Sequence, residues 1–62
     1  MKYIIVSIEG IRLIRGKKGF FNIDMFVKKE SDPADADAIR VYKTFTTNEW
    51  KRVEKDGFFI EN

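Results

Sequence analysis

The first part of the chain alternates apolar and polar residues with a period of two, which is typical of a β-strand with one buried face. In the segment IIVSIEGIRLI, residues 4–14, the alternating apolar positions are even-numbered before Gly10 and odd-numbered after it. One inserted residue produces this change, because it reverses the facing of every later side chain. The pattern therefore predicts one long strand over residues 2–15, bent by a β-bulge at Gly10, with a positive φ at that glycine.

Both halves of this strand are expected to face one core. On this interpretation Tyr3 and Ile5 lie on the opposite, outer face of the sheet. A strand bent by a bulge is how small sheets curl towards closure. The inward side chains are then Ile4, Val6, Ile8, Ile11 and Leu13.

The next segments predict a hairpin, a second strand and a loop. Residues 15–19, RGKKG, form the hairpin loop, because two glycines bracket two lysines. Residues 30–38, ESDPADADA, combine proline, small residues and acids, which is typical of a solvated loop. The strand between them, residues 20–29, turns Phe21, Ile23, Met25 and Val27 inward and Phe20, Asn22, Asp24, Phe26 and Lys28 outward.

A third strand is predicted over residues 39–45, IRVYKTF. Its alternation turns Ile39 and Val41 inward. Lys43 shares that parity, so we expect it at the rim of the core, where its stem packs and its ammonium reaches water. The outward side chains are Arg40, Tyr42 and Thr44.

The segment FTTNEWKRVEKDG carries the clearest local signal. Thr46 and Glu49 have the T-x-x-E spacing of a capping box, and Phe45 and Trp50 occupy the two positions of a hydrophobic staple. A helix is therefore predicted to begin at Thr47, to bury Trp50 and Val53, and to end near Gly57. Residues 58–60, FFI, then form a short final strand.

The predicted order β-β-β-α-β defines an α+β or mainly β fold: a small curled antiparallel sheet or open barrel of the OB or SH3-like type. Residues 1–62 form one domain. A chain of this size buries only about 60% of the surface that its unfolded form exposes. Since apolar groups occupy both faces of the predicted sheet, we expect a homodimer.

The absence of cysteine and histidine restricts the chemistry. Nucleophilic triads, imidazole acid–base catalysis and thiolate or imidazole metal sites lose their central groups. The acidic loop does not follow the calcium-loop template, and residues 16–19, GKKG, lack the spacing of a phosphate-binding loop. We therefore expect a protein that is not an enzyme, has no cofactor and no metal site, and is cytoplasmic without membrane association.

Charge is distributed unevenly, although the net charge is only +2. Residues 1–29 carry seven basic and two acidic side chains, whereas residues 30–38 carry four acids and no base. Aromatic and basic side chains mix on the predicted outer face, which suits the stacking of unpaired bases and the neutralisation of their phosphates. Alternatively, a helix, a closed barrel or a second subunit covers these rings.

The bent strand, the glycine–lysine turn and the aromatic second strand, residues 1–29, resemble the start of the small OB-fold single-stranded DNA-binding proteins of filamentous and other small phages. The resemblance implies nucleic-acid contacts by Arg12, Lys17, Lys18, Phe20, Phe26 and Lys28. To these the outer face adds Arg40 and Tyr42.

The outer face and the resemblance together predict a protein that binds single-stranded nucleic acid without catalysis, with DNA and RNA both open as ligands. The resemblance implies that it is a viral protein. The alternative is a small phage-type protein-interaction module that inhibits a host or defence protein. Such a module would use the same aromatic face or an open edge strand.

Overall fold

The computed structural model of the chain describes residues 1–16 and 18–61. The four strands form one curled antiparallel sheet in the order β3-β2-β1-β4, shaped as a half-barrel. Both the predicted fold class and the order β-β-β-α-β are confirmed. The elements are β1 (Lys2–Leu13), β2 (Phe20–Lys29), β3 (Ile39–Thr46), α1 (Thr47–Asp56) and β4 (Phe58–Ile60).

The hydrophobic core lies between α1 and one face of the sheet, which we call the core face. The rings of Phe45 and Phe59 meet edge to face with their centroids 5.6 Å apart. These two residues come from β3 and β4, the strands at opposite edges of the sheet. The sheet therefore curls until its edges approach each other. The buried residues are Ile23, Met25, Val27, Phe45, Trp50, Val53 and Phe59.

Helix α1 begins and ends as its sequence predicts. The Glu49 amide donates to Thr46 Oγ1 at 3.1 Å, and the Thr46 amide donates to Glu49 Oε1 at 2.9 Å, which completes the capping box. The Phe45 and Trp50 rings lie 5.7 Å apart, as expected of the staple. Gly57 caps the other end with φ of 79°, and its amide donates to the Val53 carbonyl. Local side-chain chemistry thus fixes both ends of the helix.

Lys43 lies on the core face, opposite Ile23 of β2, which confirms its predicted inward direction. Its ammonium is 5.5 Å from the centre of the Phe59 ring and 3.4 Å from Glu61 Oε1. The stem packs among aromatic rings while the charge pairs at the rim. This contact joins β3 to the residue that follows β4, across the open side of the curled sheet.

Strand β1 is irregular at two places, and it ends at Leu13, two residues before its predicted end. Its pairing with β2 shifts between Ile8 and Gly10, which confirms a bulge beside Gly10. A second shift, which the alternation in the sequence does not reveal, lies between Ile5 and Ser7. Because each shift reverses the facing of the residues before it relative to those after it, the second one changes the face assignment of the first residues.

The predicted facing of residues 3–6 is therefore wrong. Tyr3 and Ile5, expected on the outer face, pack against the core. Ile4, expected inward, pairs with an outward residue of β2 and is exposed, and Val6 is exposed as well. Residues 3–6 are all apolar, so no alternation of apolar and polar residues indicates which of them face the core. The remaining inward assignments, Ile8, Ile11 and Leu13, are confirmed by their pairing with residues on the core face of β2.

Gly10 does not have the expected positive φ. In the described part of the chain, the glycines with positive φ are Gly16, Gly19 and Gly57. A Cβ added at Gly10 would lie 3.9 Å from the Asp24 Cβ, which is an ordinary contact. The bulge therefore does not require glycine for its backbone conformation.

Removal of the helix cap is expected to destabilise the fold. Thr46→Ala leaves the Glu49 amide without its acceptor and should lower the free energy of unfolding by about 1 kcal/mol. For a domain this small, the Tm falls by about 4–8 °C. Thr47→Ala is the control, since the Thr47 side chain makes no capping bond. Equal losses in the two variants, measured by circular dichroism, would contradict the assigned cap.

Two glycine substitutions should differ because only one glycine occupies the left-handed region. Gly57→Ala is expected to cost about 1–2 kcal/mol, since φ there is +79°. Gly10→Ala should change the free energy of unfolding by no more than about 0.5 kcal/mol. Urea denaturation measures both values. A loss at Gly10 as large as that at Gly57 would show that the bulge does depend on glycine.

Candidate nucleic-acid interface

The outer face of the sheet is the face opposite α1, and within the described residues no helix covers it. Cross-strand pairing in β1, β2 and β3 determines which side chains share this face, because directly opposite residues point to the same side. Three rows cross it: Arg12, Asn22 and Thr44; Gly10, Asp24 and Tyr42; Ser7, Phe26 and Arg40.

Arg40 forms the centre of this face. Its Nε and Nη2 donate to Asp24 Oδ1 and Oδ2 at 2.9 and 2.6 Å, a two-bond pairing that fixes the guanidinium. Its guanidinium carbon lies 5.8 Å from the centre of the Phe26 ring and 5.6 Å from that of Tyr42. We call these four residues the Arg40 platform. They hold a fixed cation between two aromatic rings, and the Tyr42 residue is 65% exposed.

The ion pair changes the titration of both partners. The hydrogen bonds from Arg40, and then its charge, lower the pKa of Asp24 below its ordinary value of 3.8, and Arg12 adds to this effect. The same contacts raise the pKa of Arg40. Because Asp24 offsets the charge of Arg40, the guanidinium lies on this face as a held planar group with little net charge.

A cavity of about 390 Å³ adjoins the platform. Its lining residues are Glu9, Gly10, Arg12, Asn22, Asp24, Arg40 and Tyr42. The charged groups in this cavity are two acids and two bases, so its overall charge is balanced. It offers hydrogen-bond donors and acceptors beside an exposed ring, which suits a planar polar group.

The structure brings together Arg12, Phe26, Arg40 and Tyr42 of the predicted site, and it directs Lys18, Phe20 and Lys28 elsewhere. Lys28 donates from Nζ to the Ala34 carbonyl at 3.2 Å and is thus directed to the acidic loop. Phe20 lies at the far end of β2, opposite Thr46. Lys18 is exposed in the hairpin turn, and Lys17 lies outside the described residues.

Three further residues belong to this site, although no binding role is predicted for them from the sequence. Asp24 fixes the guanidinium, while Glu9 and Asn22 line the cavity. Alternation alone places Asp24 and Arg40 on one face. Their ion pair, however, depends on the register between β2 and β3, which alternation does not specify.

Neither a metal site nor a membrane span emerges from the residues described. Among them, no three His, Cys, Asp or Glu side chains gather as a metal site would require. Nor does this part of the chain hold a helix with the length and apolarity to cross a membrane. Comparisons with protein-family models, curated proteins and solved structures gave no significant match to the chain.

The Asp24–Arg40 pair should make stability depend on pH. Since the pKa of Asp24 is lowered by folding, its contribution is complete above about pH 4 and is lost as the pH falls through the lowered pKa. Asp24→Asn is therefore expected to be less stable than the parent at pH 7, with a difference that shrinks towards about pH 2.5. Urea denaturation at both pH values measures this difference.

Glu54→Gln on the exposed surface of α1 is the control, because Glu54 forms no ion pair with any described residue. Its difference from the parent should change less with pH. An Asp24→Asn difference that stays constant down to about pH 2.5 would contradict the assigned ion pair.

Proposed function

We propose that this chain is a non-catalytic protein that binds single-stranded nucleic acid on the outer face of its sheet. The observation that carries the proposal is the Arg40 platform, in which an exposed Tyr42 ring, a fixed guanidinium and the Phe26 ring adjoin on an uncovered sheet face. Unpaired bases are held by stacking on aromatic rings and guanidinium planes. A rigid platform loses little freedom when a base stacks on it.

The order of the strands supports the same proposal. OB-folds bind oligonucleotides on the face of strands 2 and 3 and with the loop between strands 1 and 2. In this chain the platform residues belong to β2 and β3, and Lys18 lies in the hairpin between β1 and β2. A complete OB barrel has five strands, whereas the described residues form four, so the proposed binding protein is an open half-barrel.

Stacking and charge are assigned to different residues. Tyr42 and Phe26 supply the rings, and Asp24 holds Arg40 in the plane that a base would contact. Arg12 and Lys18 form no ion pair within the described chain, so their charges are available to phosphates. Because of the resemblance to phage proteins, single-stranded DNA in the cytoplasm of an infected cell is the first ligand to test.

Binding of a labelled oligodeoxynucleotide of about 20 bases, followed by fluorescence anisotropy at several salt concentrations, should separate stacking from charge neutralisation. Tyr42→Ala and Phe26→Ala are each expected to weaken binding by about 1–3 kcal/mol without changing the salt dependence. Arg12→Ala with Lys18→Ala should instead reduce the slope of log affinity against log salt by about 0.7 for each phosphate that is no longer neutralised.

Matched variants make this test specific. Tyr42→Phe keeps the ring and should bind nearly as the parent does. Arg52→Ala with Lys51→Ala removes the same charge from the exposed side of α1 and should leave the slope unchanged. Absence of binding at about 50 mM salt would overturn the proposal. The protein-interaction module that inhibits a host or defence protein would then be the function to pursue.

A further inference from the structure

The side of β1 that faces away from β2 is open along most of its length. Strand β4 pairs only with Lys2–Ile4, and the Ile5 amide then donates to the Gly57 carbonyl at 3.0 Å. Beyond Ile5, no described strand pairs with this side of β1, and α1 packs against β2, β3 and β4 but not against β1. Residues 6–13 therefore form an open edge, which we call the β1 edge.

The β1 edge is apolar on the core face of the sheet. Ile8, Ile11 and Leu13 are all exposed there, Leu13 to 74%. An exposed apolar edge is a template for pairing with another strand unless proline, lysine or a covering segment blocks it. The β1 edge contains neither proline nor lysine, and its charged residues are Glu9 and Arg12, one of each sign.

The direction of the backbone groups follows from the adjoining hairpin. The Ile14 amide donates to the Phe20 carbonyl at 3.3 Å, so it points towards β2. Backbone groups of successive residues point to alternate sides of a strand, and Ile11–Leu13 pair residue by residue with β2. The N–H and C=O groups of Ile11 and Leu13 therefore point to the open side.

We infer that the β1 edge pairs with the same edge of a second copy of this chain, antiparallel and centred on Ile11. In this register each Ile11 exchanges two backbone hydrogen bonds with its counterpart. Arg12 then lies opposite Gly10 of the second copy, with Glu9 of that copy next to it.

The charges favour this register over the one that is shifted by one residue and centred on Arg12. Both Glu9 and Arg12 line the cavity on the outer face, so they point to the same side of the sheet. Since Gly10 has no side chain between them, each Arg12 can reach Glu9 of the other copy, which gives two reciprocal ion pairs. Pairing centred on Arg12 would instead place two like charges opposite each other, which is unfavourable.

The resulting dimer has one continuous sheet of eight strands, twice the four of a single copy. Opposite residues share a face, so both helices lie on one side and both Arg40 platforms on the other. The two exposed Ile11 side chains meet at the two-fold axis, and the exposed Ile8 and Leu13 of each copy lie on either side of them. A single pair of short edges is a small interface, so the association should be reversible.

Sedimentation velocity without nucleic acid tests this dimer independently of the proposed function. The parent should change from monomer to dimer between about 1 µM and 1 mM. Glu9→Arg alone and Arg12→Glu alone should each weaken self-association at least about tenfold, because like charges then meet. An equal mixture of the two variants should associate again, since opposite charges face each other across the axis.

A backbone measurement and a third variant complete the test. Hydrogen exchange at the Ile11 and Leu13 amides should slow as the parent concentration rises. Ile11→Lys brings two ammonium groups together at the axis and should remain monomeric, with the circular dichroism of a folded chain. If this variant does not fold, the mixture of charge variants decides.

Three results would overturn the inference. The first is a parent that stays monomeric up to about 1 mM, which would leave the edge to an extended segment of a different protein. The second is a dimer that neither the charge variants nor Ile11→Lys weakens, which would place the interface elsewhere. The third is a mixture of charge variants that fails to associate.

Discussion

One short helix has to close the core of a sheet that is much longer than the helix. Helix α1 has ten residues and spans about 15 Å, whereas β1 has twelve residues and spans about 40 Å. The staple between Phe45 and Trp50 fixes where the helix begins, and Gly57 ends it. The helix therefore packs against β2, β3 and β4 and leaves the second half of β1 uncovered on the core face.

The same constraint explains why the sheet curls. With so little helix to cover it, the core is completed by bringing the two edges of the sheet together, as the contact of Phe45 with Phe59 shows. Lys43 and Glu61 then pair across the remaining opening. All of this packing uses one face, so no element of the described residues covers the outer face. On this face the Phe26 and Tyr42 rings lie beside the Arg40 guanidinium, which Asp24 holds.

Local signals in the sequence were sufficient for most of the fold. The capping box, the staple and the alternation in β2 and β3 each depend on a few neighbouring residues, and each prediction is confirmed, including the inward Lys43. The facing predicted for residues 3–6 was wrong because an entirely apolar run shows no alternation. The sequence therefore did not reveal the second bulge. For the candidate site, alternation grouped Phe26, Arg40 and Tyr42 correctly on one face. The role of Asp24 depends on the register between strands, which is a property of the packed sheet.

The two proposed surfaces adjoin at Glu9 and Arg12, which line the outer cavity and also lie at the inferred two-fold axis. Arg12 paired with Glu9 of a second copy would offer less charge to a phosphate, and Lys18 would carry more of that role. In return, the dimer would place two platforms on one side of a continuous sheet. A single-stranded nucleic acid long enough to reach both platforms would bind the second one at a high effective concentration. Dimerisation would therefore exchange part of the electrostatic attraction of each chain for a second site of stacking. Under these two proposals, nucleic-acid binding and self-association would be linked through Arg12.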